Sequence, residues 1–399
     1  MEATRLLDLT RLVSRLGKGA LTGIDRVELA YLHRFAADTP PLFGLVRTAA
    51  GWLLLNRAGC EALAGLVLQN TQLPRADLLS RLLHHRDPAR ARAETAARKI
   101  ATARSPRPGL ARLLRVLPRP AIYFNVGHAN LTAPGLSGLR SAGFSIRVMV
   151  HDTIPLDHPQ LVRADSIAPF RQKLAAVATH ADCVIHLTQA SRTLTEAQMA
   201  RLGRVPPGVT APLGVAVAQP DMAALPPGLD LSTPYFVTLG TIEPRKNHTL
   251  LLDVWDRLPA PKPRLFILGN RGWAAPDVLA RLDRLAPDGP VQVLHGLPDA
   301  AVSALIAGAR ALLAPSLAEG FGLPPVEAAS LGTPVLATDL AVTRELLGNK
   351  AVYLPAADIY SWVETIVRQA SITPAPLRPP APLTLLSWDD HFNTVLSVV

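Results

Sequence analysis

Two cysteines in 399 residues, Cys60 and Cys183, are too few and too far apart for a disulfide framework. With no CxxC pair and no His-rich partner set, they do not make a structural zinc site either, and both read as buried thiols. No apolar run reaches the roughly 18–20 residues of a membrane-spanning helix. The opening MEATRLLD lacks the pattern of a secretory leader. The expected location is cytoplasmic, with a peripheral place at the inner membrane face left open. Aromatics make up only 5% of the chain, and few are interleaved with its basic residues, so nucleic acid is not an expected partner. No Asp-x-Asp pair occurs, so the sequence calls for no divalent ion, and neither a metal site nor a cofactor is expected. No internal repeat is evident.

What is present is apolar content and uneven charge. With 49% hydrophobic residues, a chain of this length can bury two cores, which suggests two domains of roughly 150–200 residues each. Residues 1–218 hold 28 Lys and Arg against 14 Asp and Glu, whereas residues 219–399 hold 13 against 17. The basic character is densest over about 75–119, where Arg81, Arg86, Arg90, Arg92, Arg98, Lys99, Arg104, Arg107, Arg112, Arg115 and Arg119 alternate with Leu and Ala. Three readings fit that stretch: an amphipathic helix pair on anionic lipid, a site for an anionic acceptor, or a solvated helical face.

Strand-like apolar runs alternate with helical patterns throughout, the mark of doubly wound α/β structure. In the first half, strands are expected near 5–10, 42–46, 121–125, 145–150 and 183–187, with a helix over 24–35. In the second they fall near 235–239, 264–268, 291–294, 311–314, 334–337 and 351–354. Two sheets in tandem mean two Rossmann-like domains, 1–218 and 219–385, joined within the Pro-rich segment 205–234. A second Pro-rich passage, 373–382, precedes a terminal helix in 386–399.

The chemistry-bearing motifs sit after strands, where open α/β sheets bind ligands. The run EGFGLPPVE over 319–327 places two carboxylates eight positions apart around a glycine turn that opens a helix. Pro324 and Pro325 suit a first helical turn. Gly320 and Gly322 permit close backbone approach, and free amides at the helix start attract a diphosphate. Glu327 is able to accept hydrogen bonds from two ribose hydroxyls and Glu319 from those of a sugar. The plainer alternative makes Glu327 a helix-dipole partner and Glu319 a solvated loop acid. The run PYFVTLGTIEPRKNH over 234–248 gives a strand, a turn at Gly240, and the basic pair Arg245 and Lys246.

In the first half, MVHDTIP over 149–155 brings His151 and Asp152 to a sheet edge, and YFNVGHAN over 123–130 does so for Asn125, Gly127 and His128. Asp152 reads equally as a helix N-cap. The segment GKGALTG over 17–23 does not have dinucleotide-fingerprint spacing, and Gly23 reads either as a helix entry or as a close approach to ligand. Arg271 within GNRGW over 269–273, the run His295, Gly296 and Leu297, and the helix start at 188–191 also follow strands.

Taken together, the runs at 319–327 and 234–248 resemble the retaining glycosyltransferases of family 4, which have the GT-B fold. The resemblance is strong over 234–346, moderate over 145–195 and weak in the Arg-rich insertion. It implies an α/β GT-B chain: two Rossmann-like doubly wound domains facing across a cleft, with the terminal helix crossing back to the first. It implies transfer of a sugar from a nucleoside diphosphate sugar to a hydroxyl of a glycan or lipid-linked acceptor, with no metal required. In that scheme Arg245 and Lys246 carry the diphosphate, Glu319 orients the sugar, Glu327 anchors the ribose, and His151 reaches the donor sugar. Gly240, Arg271, His295, Gly296, Leu297, Gly320, Phe321, Gly322 and Leu323 complete the donor side, and Gly23, Asn125, His128 and Asp152 face the cleft. Two alternatives stay open: a nucleotide-sugar epimerase on the same scaffold, and a catalytically silent protein that binds a polyanion or lipid.

Overall fold

The computed structural model describes residues 2–19, 21–68, 73–371 and 386–397, so the Pro-rich passage 373–382 lies outside the described residues. The first sheet contains β1 (Thr4–Asp8), β2 (Leu42–Thr48), β3 (Gly51–Leu55), β4 (Ala103–Ser105), β5 (Ala121–Asn125), β6 (Phe144–Val150), β7 (Cys183–His186) and β8 (Gly208–Thr210). They are ordered β4-β3-β2-β1-β5-β6-β7-β8. From β2 to β8 every pairing is parallel, and β3 and β4 extend the edge antiparallel. Strands β5 (AIYFN) and β7 (CVIH) are buried along their whole length, as parallel strands covered on both faces are.

Strands β3, β4 and β8 lie outside the sequence expectation. Ala49 and Ala50 join β2 to β3 without the Asn-Gly or Asp-Gly chemistry that announces a hairpin. Strand β4 corrects the reading of 75–119 as a helix pair. The stretch forms helices Leu78–Leu83, Pro88–Ile100 and Leu110–Leu114, but it also lays a strand on the sheet edge. Both cysteines are free and buried.

The second sheet has its strands where the sequence expects them: β9 (Tyr235–Leu239), β10 (Arg264–Leu268), β11 (Val291–Leu294), β12 (Leu312–Ala314), β13 (Val335–Thr338) and β14 (Ala351–Leu354). Their order is β11-β10-β9-β12-β13-β14, parallel throughout. In each sheet the strand order reverses at one place, between β1 and β5 and between β9 and β12. Chain leaving adjacent strands there departs in opposite directions and opens a crevice at their carboxyl ends.

The chain crosses from one sheet to the other between β8 and β9, and returns beside the same path. The Val215 amide donates to the Leu386 carbonyl at 3.0 Å. The last helix, Trp388–Ser397, then packs on helix Gly23–Ala37 of the first domain. Tyr31 Oη lies 2.8 Å from His391 Nε2, and the Tyr31 and Phe392 rings meet edge to face at 4.9 Å.

Candidate active site

The two loops at the second sheet's crevice carry the strongest charge constellation. After β9 the chain turns at Gly240 into the tight turn Pro244–Lys246, and Asn247 adopts a left-handed conformation before helix His248–Arg257. After β12 the loop 315–322 runs alongside, tied by the Leu317 amide to the Arg245 carbonyl at 2.7 Å. Arg245 Nη1 donates to Glu319 Oε2 at 2.7 Å and Lys246 Nζ to Glu319 Oε1 at 2.5 Å. Arg245 Nε also pairs with Glu243 at 2.6 Å. Burial by itself would push the Glu319 carboxyl up, but the charges of Lys246 and Arg245 outweigh it and hold it down at about 2. Glu319 is therefore ionised, and it neutralises two cations that converge on one spot.

Helix Leu323–Ser330 starts at Gly322, whose φ of +86° favours glycine, and Pro324 and Pro325 occupy its first turn as expected. Gly320 is fixed by its neighbour across the cleft: a Cβ there would stand 2.5 Å from the His151 carbonyl oxygen. Phe321 is 6% exposed and packs in the core, so its side chain anchors the loop from behind rather than facing a donor. Glu327 is the fifth helical residue, just past the first turn, and the helix has no acid in its first turn. Its placement is thus not explained by the helix dipole, which acts on the first turn. Burial raises its carboxyl, against the pull of Arg26.

Across the cleft, His151 directly follows β6. Its Nε2 lies 2.7 Å from the Val126 carbonyl oxygen, and since a carbonyl only accepts, Nε2 carries the proton. Burial lowers the imidazole to about 4, so the ring is neutral at physiological pH and Nδ1 is its acceptor. His128 stands beside it, the two rings edge to face at 5.0 Å, with Nε2 3.0 Å from the Met149 carbonyl. Asp152 stands one residue before the N-cap of helix Ile154–Asp157, which is Thr153, and so is not the cap itself. It accepts from the Ile154 amide at 3.1 Å, and its carboxyl, raised by burial, feels the Arg245 charge from the other domain.

Asn125 is placed otherwise than expected. It is fully buried, and its Nδ2 donates to Tyr123 Oη at 2.8 Å and to the Ala129 carbonyl at 2.6 Å. It therefore braces the loop behind the cleft. Tyr123 and Asn130 both donate to Asp8 at 2.8 Å, completing a network at the first sheet's crevice.

A cleft of about 540 Å³ connects the domains, lined by Gly23, Arg26, Leu297, Asp299, Leu323 and Glu327 among others. Gly23 opens its helix behind Thr22, whose amide and hydroxyl bond the Asp25 carboxylate. It also faces the second domain, since a Cβ on it would lie 3.4 Å from Leu323. His295 and Gly296 stand exposed after β11, and Leu297 reaches the cleft. Arg271 pairs with Asp283 at 2.5 Å. Thr188 caps helix Gln189–Arg201. Arg26 is the residue that sequence reasoning missed: its guanidinium reaches Asp299 at 2.9 Å and Glu327 at 3.4 Å. The only available signal was its place three residues after Gly23 at a helix start.

Residues 226–368 match the family described as Glycosyl transferases group 1. The chain is 30% identical over 246 residues to the serotype-specific mannosyltransferase WbdA of Escherichia coli, which covers 57% of this chain and 30% of that protein. The chain thus spans about a third of the length of the curated relatives it matches. Its fold is similar to that of Anabaena Alr3699/HepE, solved in complex with UDP and glucose, with a TM-score of 0.58 at 15% identity over 100% of this chain and 97% of that one. It is equally similar to the lipopolysaccharide outer core galactosyltransferase WaaB in its apo form, with a TM-score of 0.58 at 16% identity over 100% of both chains. Residues 226–368 therefore form a glycosyl transferases group 1 domain, seated in a chain with the GT-B fold.

Proposed function

We propose that the protein is a retaining glycosyltransferase that moves a sugar from a nucleoside diphosphate sugar to a hydroxyl of a growing or lipid-linked glycan. The observation that carries the reading is the convergence of Arg245 and Lys246 on the buried carboxylate of Glu319, within a loop that touches His151 of the other domain. The diphosphate would take the two cations, and their charge would stabilise it most as the glycosidic bond to phosphate breaks and negative charge grows on the leaving oxygen. Glu319, freed from one or both cations, would turn its oxygens to the sugar hydroxyls. Glu327 would hold the ribose, with Arg26 shifted from it. The neutral His151, its Nε2 committed to Val126, would accept from a sugar hydroxyl through Nδ1. In front-face transfer the acceptor hydroxyl attacks on the side the phosphate leaves. The leaving phosphate takes its proton, so no protein nucleophile is needed. Positive charge from Arg245 and Lys246 suffices in this scheme, so turnover is expected to survive EDTA. The family match and the mannosyltransferase relatives support the reaction class, and the UDP bound to HepE supports a nucleotide donor.

The test is thermal melting with UDP, GDP, ADP and their sugar conjugates, since a ligand of the native state alone raises the melting temperature. One base is expected to give a clear shift that is lost in Lys246→Ala, with the variant still folded. No shift with any nucleotide in folded protein would overturn the donor assignment.

A further inference from the structure

Helix Leu78–Leu83, of sequence LLSRLL, is turned inside out. A surface helix normally buries its apolar side and offers its polar side to water. Here Ser80 is fully buried, its hydroxyl 3.0 Å from Thr95 Oγ1 of helix Pro88–Ile100. Leu78, Leu79, Leu82 and Leu83 are 75%, 46%, 76% and 43% exposed. A polar clamp sets this orientation: Asp77 caps the helix by accepting from the Ser80 amide at 2.7 Å, and Arg98 grips Asp77 at 3.0 Å and the Ser80 hydroxyl. The leucines are therefore held outward by a built contact.

The charge around them has one sign. Arg75, Arg81, Arg86, Arg92 and Lys99 are all exposed. The three carboxylates of the same stretch are already engaged. Asp77 is held by Arg98, and Asp87 caps the next helix through the Arg90 amide at 2.9 Å with Lys18 3.8 Å away. Glu94 is buried between Arg90 at 3.0 Å and His84 at 3.1 Å. A second copy of this face would bring like charges together, whereas an anionic lipid surface satisfies both the leucines and the cations.

We propose that the face built on Leu78, Leu79, Leu82 and Leu83 docks on an anionic membrane, the leucines entering the acyl boundary and Arg81 and Arg86 lying at the headgroup phosphates. The face adjoins the cleft. Lys18, 3.8 Å from Asp87 at the start of the helix that follows the leucine helix, is three and five residues from Leu21 and Gly23 at the cleft wall. Docking there sets the mouth of the cleft beside the lipid. The inference stands on the exposed leucines and the surrounding charge, and does not depend on the sugar-transfer reading.

The experiment is flotation of the full chain with vesicles of phosphatidylcholine alone and of phosphatidylcholine mixed with phosphatidylglycerol. Binding to the mixed vesicles only is expected, falling with salt. The double variant Leu78→Ser, Leu82→Ser is expected to stay at the bottom of the gradient while melting like wild type. Arg81→Gln and Arg86→Gln are each expected to weaken binding roughly fivefold. Failure to float with the mixed vesicles, or equal flotation of the leucine variant, overturns the proposal. So does a wild-type dimer in sedimentation that the leucine variant dissociates, since a second copy would then cover the face.

Discussion

Glu319 carries two opposing demands, and they give the sharpest residue-level prediction. It is buried, which disfavours its charge, yet two cations keep it ionised, so replacing it with Gln leaves Lys246 without this counter-charge and Arg245 paired with Glu243 alone. Glu319→Gln is expected to lower the stability of the free protein by roughly 2–3 kcal/mol, below the usual range for breaking a buried pair because Arg245 keeps some access to solvent. A diphosphate nucleotide should restore more of the melting temperature in this variant than in wild type, since the anion supplies the missing charge. A variant as stable as wild type without nucleotide would sink this account. The linkage has a definite sign. A carboxyl whose folded value is depressed to about 2 contributes stability that is full above its ordinary 4.5 and lost as pH falls between those two values. The Glu319 contribution is therefore flat near neutrality. At this scale, Arg245, Lys246 and Glu319 were legible as candidates through their types, their place after strands and the family resemblance together. Asn125, Phe321 and Arg26 were not, because whether a side chain points into a cleft or behind it depends on packing that a single sequence does not state.

Among the elements, legibility followed burial and punctuation. All six strands of the second sheet are short apolar runs with helices between them, and each was found within a residue or two. Strand β4 was hidden by the surrounding arginines, β8 by the prolines on its flank, and β3 by a turn without turn residues. The terminal helix Trp388–Ser397 and its return to the first domain were expected, but the residue that fastens it there was not. His391 fixes it with both ring nitrogens: Nδ1 lies 3.1 Å and 3.0 Å from the Ala211 and Pro212 carbonyls, and Nε2 accepts from Tyr31. Burial lowers this imidazole to about 4, and protonation would cost Nε2 its acceptor role. A histidine lowered in the folded state contributes stability that is full above its ordinary 6.5 and lost as pH falls toward 4. The slope reaches at most roughly 1.4 kcal/mol per pH unit. His391→Phe keeps the ring among Tyr31, Trp388 and Phe392 and removes the titration. Its melting temperature is expected to be lower than wild type at pH 6.5 and to fall less on acidification to pH 4. Parallel pH curves for the two proteins would show that the helix is not held through this ring.

At the scale of the whole molecule, polar contacts among the described residues join the two domains, and one of them touches no proposed substrate group. Glu345, on helix Ala341–Leu347 of the second domain, accepts from the Gln189 and Ala190 amides at 2.6 Å and 2.8 Å, and so caps helix Gln189–Arg201 of the first. A carboxylate at the start of a helix contributes roughly 0.3–1 kcal/mol when exposed, and the contribution is screened by salt. If the closed arrangement is the one that transfers sugar, Glu345→Gln shifts the balance toward open molecules without disturbing either core. Donor kcat/KM is then expected to fall roughly two- to fivefold, with no change in melting temperature. The deficit should shrink at high ionic strength, where wild type loses the same contact. Arg26→Ala is expected to lower kcat/KM as well, but it also removes a neighbour of Glu327, so its deficit should persist in high salt. The two variants thus separate closure from donor binding. Unchanged kinetics in Glu345→Gln at low salt would mean that the contact closes nothing the reaction needs, whereas a fall in melting temperature would make Glu345 a residue of stability instead.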